Sequence, residues 1–232
     1  ELVLDAKGFD IHSVESYVSG IGGGVVSSSS SPLKYKYDGM KITIELEKIF
    51  TRNDTFQISI RYTAKPNELK SEGSSAITDE KGLYFINPFG KDPNKMPQIW
   101  TQGETESSSC WFPTIDSPNE KTTQQISITV KDKYKTLSNG KLVFSEKNKD
   151  GTRTDLWEQN LPHAPYLFMM AVGEFDITKD YWTRPDGSKM EVNYYTEPAY
   201  TPYAKAIFGK TPKMIQFFSD KLGMTYPWHK YN

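Results

Sequence analysis

The densest set of chemically capable residues lies between positions 98 and 121, QIWTQGETESSSCWFPTIDSPNEK. It gathers three acids (Glu104, Glu106 and Asp116), the amide of Gln102, the aromatics Trp100, Trp111 and Phe112, and the prolines Pro113 and Pro118. By composition this is an ordered loop with a turn at Asp116-Ser117-Pro118-Asn119. Read alone, its acids are solvated side chains. Metal chemistry has no footing elsewhere: His12, His163 and His229 are far apart, and none begins a His-Glu-x-x-His helix that would set two imidazoles on one face. Cys110 stands alone between Ser109 and Trp111 with no local base, which reads as a packed, inert thiol. No Gly-x-Ser-x-Gly elbow occurs, and the glycines from Gly20 to Gly24 lead into neither a helix nor a Lys-Ser/Thr pair.

Bulk properties exclude further classes. The 232 residues carry 28 Lys+Arg against 29 Asp+Glu, a net charge of −1 that leaves no electrostatic footprint for nucleic acid. Hydrophobic residues make up only 36%, but aromatics reach 13%, and an aromatic-rich chain of this length folds. A single cysteine rules out an internal disulfide and leaves the compartment open. No apolar run approaches the ~20 residues of a membrane helix. The start, Glu1-Leu-Val-Leu-Asp5, resembles the middle of a strand, so a segment of a longer protein is expected.

The elements that must position the loop are mostly strands. Met40, Ile42, Ile44 and Leu46 alternate with polar residues, as do Phe56, Ile58, Ile60 and Tyr62, and Ile126, Ile128 and Val130. Period two with one apolar face predicts half-buried antiparallel strands. Leu142–Ser145, Thr154–Glu158 and Met190–Tyr195 read as further strands. Tyr166–Val172 lacks alternation and is expected to be a strand buried on both faces. Gly20–Ser31 reads as a flexible hairpin tip, Lys65–Asp79 as a polar loop, and Asn139-Gly140 as a hairpin turn. Beyond about residue 198 the pattern becomes helical. Thr201-Pro202 and Thr211-Pro212 suggest capping hydroxyls before first-turn prolines, and Gly223 is a natural C-cap, giving one or two helices over 201–222.

Three collinear blocks then identify a resemblance. Thr101-Gln102-Gly103-Glu104, Cys110 through Pro118, and Lys121 resemble the N-terminal domain of the aminopeptidase N family of zinc metallopeptidases, which shows Gln-x-Glu, an aromatic-Pro-x-x-Asp-x-Pro run and a Lys. Ala164-Pro165-Tyr166 through Phe175 looks like that domain's last strand. Lys213 through Tyr231 looks like the entry to the catalytic domain. Leu2–Ala6 is similar to a strand well inside the N-terminal domain.

The resemblance implies a mainly β fold: a saddle-like, multi-sheet antiparallel β-sandwich domain over 1–197, followed over 198–232 by the helical start of a thermolysin-like catalytic domain. It also implies that Glu104 would accept the substrate's α-ammonium and that Gln102 would supply an orienting amide. The implied partners are a peptide N-terminus and the parent's own catalytic domain, with no nucleic acid. Zinc is expected in the full-length parent and not within this segment, because the family's His-Glu-x-x-His and Gly-x-Met-Glu-Asn motifs lie downstream. The segment by itself is expected to be inactive. Two other readings stay open: a non-catalytic scaffold relative, and a β-sandwich module binding protein or carbohydrate.

Overall fold

The computed structural model describes residues 1–22, 25–69 and 80–232. In chain order the first strands are β1 (Leu2–Asp5), β2 (Asp10–Gly22), β3 (Val25–Pro32), β4 (Tyr35–Tyr37), β5 (Lys41–Ile44) and β6 (Gln57–Thr63). They are followed by β7 (Leu83–Ile86), β8 (Gln98–Thr101), β9 (Thr122–Lys131), β10 (Lys135–Ser138), β11 (Lys141–Lys147) and β12 (Thr152–His163). The last elements are β13 (Met170–Gly173), β14 (Asp176–Thr183), β15 (Lys189–Thr196), helices α1 (Ala204–Phe208) and α2 (Thr211–Leu222), and β16 (Lys230–Tyr231). The fold is mainly β with multiple antiparallel sheets, as expected.

Two compact units divide the chain. The first comprises residues 1–84, 102–120 and 164–167. It holds two three-stranded sheets, ordered β1-β5-β4 and β3-β2-β6. Ile42 and Ile44, the alternating apolar residues of β5, are fully buried with Ala6, Phe9 and Val14. The second unit comprises residues 85–101, 121–163 and 168–232. Its sheets run β10-β13-β8-β7, β11-β12-β9 and β14-β15-β16. One core gathers Ile128, Leu137, Trp157 and Val172. Another joins Trp182, Met190, Val192 and Tyr194 of β14 and β15 to Ala204 and Ile215 of the two helices.

Several expectations need correction. Tyr166–Val172 is not one strand: Pro165–Leu167 forms a single 3-10 turn, closed by Leu167 N–H donating to Ala164 O at 3.0 Å, and pairing begins only at Met170. Proline suits a first helical turn, and the continuous apolar run hid the break. Asn139-Gly140 does turn the chain, with φ of +76° at Gly140, but it does not make a hairpin. β10 pairs with β13 and β11 pairs with β12, so the turn passes the chain between two sheets. There the bare Gly140 backbone lies against Glu158 O, where a Cβ would sit 1.8 Å away.

The threonines do not cap the helices either. Thr211 Oγ1 donates to Phe208 O at 2.7 Å, and Thr201 Oγ1 donates to Asp176 Oδ2 at 2.8 Å. Gly223 ends α2 in the left-handed conformation, φ 62°, and its N–H reaches back to the last turn. The serines Ser27–Ser31 lie in β3 and pair with β2. The tip of that hairpin (23–24) and most of the expected polar loop (70–79) lie outside the described residues.

Candidate functional site

The Gln102-Gly103-Glu104 loop leaves the end of β8 and is fixed from beneath by backbone contacts. Gln102 N–H donates to Gly82 O at 2.9 Å, and Ser107 N–H donates to Gly103 O at 2.9 Å, which closes a tight turn over 103–107. The chain then enters a single 3-10 turn, Ser108–Cys110, in which all three residues are buried. Two glycines make this packing feasible. A Cβ on Gly103 would lie 2.5 Å from Tyr166 O and 2.6 Å from Ser108 Oγ. A Cβ on Gly82 would lie 1.9 Å from Ser107 O. Only a residue without a side chain lets these backbone segments meet.

A buried carboxylate anchors the far side of the loop. Asp116 is 7% exposed, and its Oδ2 accepts from Ser109 N–H at 2.8 Å. Asp116 N–H in turn donates to Asp5 Oδ2 at 3.1 Å, and Asp5 Oδ1 meets Lys41 Nζ at 2.5 Å. Burial alone would raise the Asp5 carboxyl, but the Lys41 ammonium and the Asp116 N–H outweigh it and hold it below the ordinary aspartate range. β1 adds its backbone: Asp5 and Thr114 exchange N–H···O bonds of 2.7 and 3.0 Å, and Lys7 N–H donates to Ser109 O at 2.9 Å. Lys7 Nζ caps Glu106 O at 2.7 Å, and Ser108 Oγ donates to Pro165 O at 2.7 Å.

On this base Gln102 is half-buried and Glu104 is exposed. The Glu104–Thr105 peptide bond is cis. Among the described residues the Glu104 carboxylate is committed to no hydrogen bond or ion pair, so it is available to a cationic ligand. Glu106 is also exposed, and its carbonyl accepts from Lys7 Nζ. Trp111 is buried and Phe112 is half-buried against it, ring centroids 4.5 Å apart, so both are packing residues. Cys110 is buried, and burial pushes its thiol up to about 11, which makes it a poor nucleophile at neutral pH.

The described residues offer no donor set for zinc: no three His, Cys, Asp or Glu side chains cluster to hold a metal. His12 bonds Thr63 Oγ1 at 2.8 Å, while His163 is buried against Phe168 with ring centroids 4.4 Å apart. The sequence reading found the loop and Asp116. It missed Gly82 and Lys41 and gave Asp5 and Tyr166 no part in holding the loop; all four lie from 16 to nearly 100 residues away along the chain. Of these only Gly82 carries a local signal, its glycine type.

Comparison with known proteins now places the fold. The Peptidase M1 N-terminal domain model matches residues 1–167. The chain belongs to the M1 peptidase family through this domain. Human glutamyl aminopeptidase is 30% identical over 143 residues, covering 62% of this chain and 14% of its own length. Zebrafish transcription initiation factor TFIID subunit 2 is 27% identical over 150 residues, covering 63% of this chain and 12% of its own length. The structure of a Deinococcus radiodurans M1 zinc metallopeptidase bound to a Tyr-Ser-Ala substrate superimposes with a TM-score of 0.76 at 18% identity, over 99% of this chain and 47% of that one. The chain thus spans less than a sixth of these two relatives.

Proposed function

We propose that this chain is the substrate-recognition portion of a zinc-dependent aminopeptidase that removes N-terminal residues from peptides. The observation that carries the reading is the Gln102-Gly103-Glu104 loop, held rigid by buried contacts while Glu104 stays exposed. An α-ammonium titrates near ~8 and is mostly charged at neutral pH. A preorganised carboxylate accepts a charge-assisted hydrogen bond from it, and the Gln102 amide orients the same group. The pair also selects for chain ends: an internal peptide bond brings no ammonium, and covering Glu104 without one leaves a desolvated carboxylate unpaired. Neither residue breaks a bond. In the complete enzyme zinc would supply the Lewis acid, and its ligands belong to the peptidase domain.

Residues 198–232 open that second domain in this account. Its helices α1 and α2 share a core with Trp182, Met190, Val192 and Tyr194 of β14 and β15. The likeness to the TFIID subunit supports a second reading, a non-catalytic scaffold. A downstream His-Glu-x-x-His in the parent gene separates the two. The amine role is tested by Glu104→Ala in the full-length protein. A fall in kcat/KM of about one to two decades is expected for a lost charged contact, and an unchanged value refutes the role.

A further inference from the structure

β11 forms one edge of the sheet β11-β12-β9, and among the described residues no strand pairs with its outer side. An open edge offers unpaired N–H and C=O groups to another strand, and proteins normally blunt such edges with proline, short length, charges or a bulge. β11 has no proline and is seven residues long; its only such features are one bulge and charges near its ends. Its seven residues, KLVFSEK, carry charge only towards the ends, at Lys141, Glu146 and Lys147. The centre is apolar and open: Leu142, Val143 and Phe144 are each 48% exposed. All seven residues of β11 are exposed, so the strand is open on both faces, and it also carries a bulge. Leu142 stands opposite Trp157 and Phe144 opposite Leu156, so the register slips at Val143 and the usual alternation is lost.

We propose that β11 is a self-association edge, and that its occupant is β11 of a second copy, antiparallel about a two-fold axis between Val143 and Phe144. Charge selects this register. It sets Lys141 opposite Glu146 of the partner subunit, and the symmetry repeats that pair at the other end. Val143 then meets Phe144 of the partner subunit at the centre, and Leu142 meets Ser145 of the partner subunit. Moving the axis onto Phe144 sets Lys141 against Lys147 of the partner subunit and Leu142 against Glu146 of the partner subunit. Moving it onto Val143 leaves Lys141 facing a serine and Glu146 facing a glycine. Only the first register joins opposite charges while keeping the apolar residues together. The contact is a single strand pair, small by the standards of stable interfaces, so association is weak and depends on concentration.

The test is sedimentation velocity of the 232-residue chain over a concentration series, with circular dichroism confirming that each variant is folded. The wild type should pass from monomer towards dimer as concentration rises. Lys141→Glu and Glu146→Lys each place like charges opposite one another at both ends, and each should weaken dimerisation by about tenfold or more. The double variant recreates both ion pairs in reverse and should recover to within about threefold of the wild type. A chain that stays monomeric throughout overturns the proposal. So does a dimer that ignores the single reversals, or one that the double variant fails to restore.

Discussion

Replacing Gly103 by alanine places a methyl group where the loop has no room for one. The new Cβ would stand 2.5 Å from Tyr166 O, 2.9 Å from Tyr166 Cα and 2.6 Å from Ser108 Oγ. Two of these atoms are backbone and cannot swing aside. The third belongs to a buried hydroxyl that donates to Pro165 O at 2.7 Å, so moving it breaks a hydrogen bond. Gly103 is not among the residues with positive φ, so alanine brings no conformational penalty of its own and the steric effect stands alone. Overpacking costs ~1–3 kcal/mol and the lost hydrogen bond about 1 kcal/mol, for a total of roughly 2–4 kcal/mol. In a chain of this size each kcal/mol lowers Tm by ~2–4 °C, so a fall of about 5–15 °C is expected in a thermal melt. Gly151→Ala is the control: φ is +83° but nothing lies within 4 Å, so only the left-handed strain of about 1–2 kcal/mol applies. A Gly103→Ala melt within about 1 °C of wild type would refute the close-packed loop, and with it the preorganisation assigned to Glu104.

Other consequences follow from the same contacts. Asp116→Ala leaves the buried Ser109 N–H without its acceptor and should destabilise the chain by about 1–3 kcal/mol in urea unfolding, whereas Asp116→Asn keeps an acceptor oxygen and should lose clearly less. His163 is held below its ordinary pKa, chiefly by burial and against the hydrogen bond its Nδ1 makes to Leu161 O, so the unfolded chain takes up its proton first as pH falls. Its contribution is therefore complete above about pH 6.5 and declines below it. The stability difference between wild type and His163→Phe should shift towards the variant between about pH 6.5 and 5, and a flat difference would contradict the neutral, buried imidazole. The 232-residue chain alone should not cleave aminoacyl substrates, and chelator-sensitive turnover above a blank would show that it carries a metal centre after all.

Much of the β architecture was legible because half-buried strands write their period into the sequence. β5, β6 and β9 all fall where apolar residues alternate, and in β5 Ile42 and Ile44 are the ones fully buried. Partner choice was not legible. The Asn139-Gly140 signal reports a tight turn, yet whether the following strand folds back or joins another sheet depends on contacts with Glu158 and Met169 far along the chain. β3 escaped notice because serines have little strand preference; pairing with β2 overrides it. At the candidate site the motif residues became readable through resemblance to a family. The parts that hold them, Gly82, Asp5 and Lys41, come from distant sequence and have no local pattern. Asp5 reads as a solvated strand-end acid until the fold sets it between Lys41 and Asp116.

The amine-anchor role of Glu104 is the central claim, and it is tested most directly by pairing the variant with a ligand that lacks the amine. In the full-length protein, inhibition constants would be measured for a substrate-like inhibitor and for its des-amino analogue, with wild type and with Glu104→Ala. The account predicts that the substitution weakens the amino ligand by about ten- to a hundredfold and leaves the des-amino analogue within about threefold, a coupling of roughly 1.5–3 kcal/mol. Equal losses for both ligands, or none for either, would contradict it.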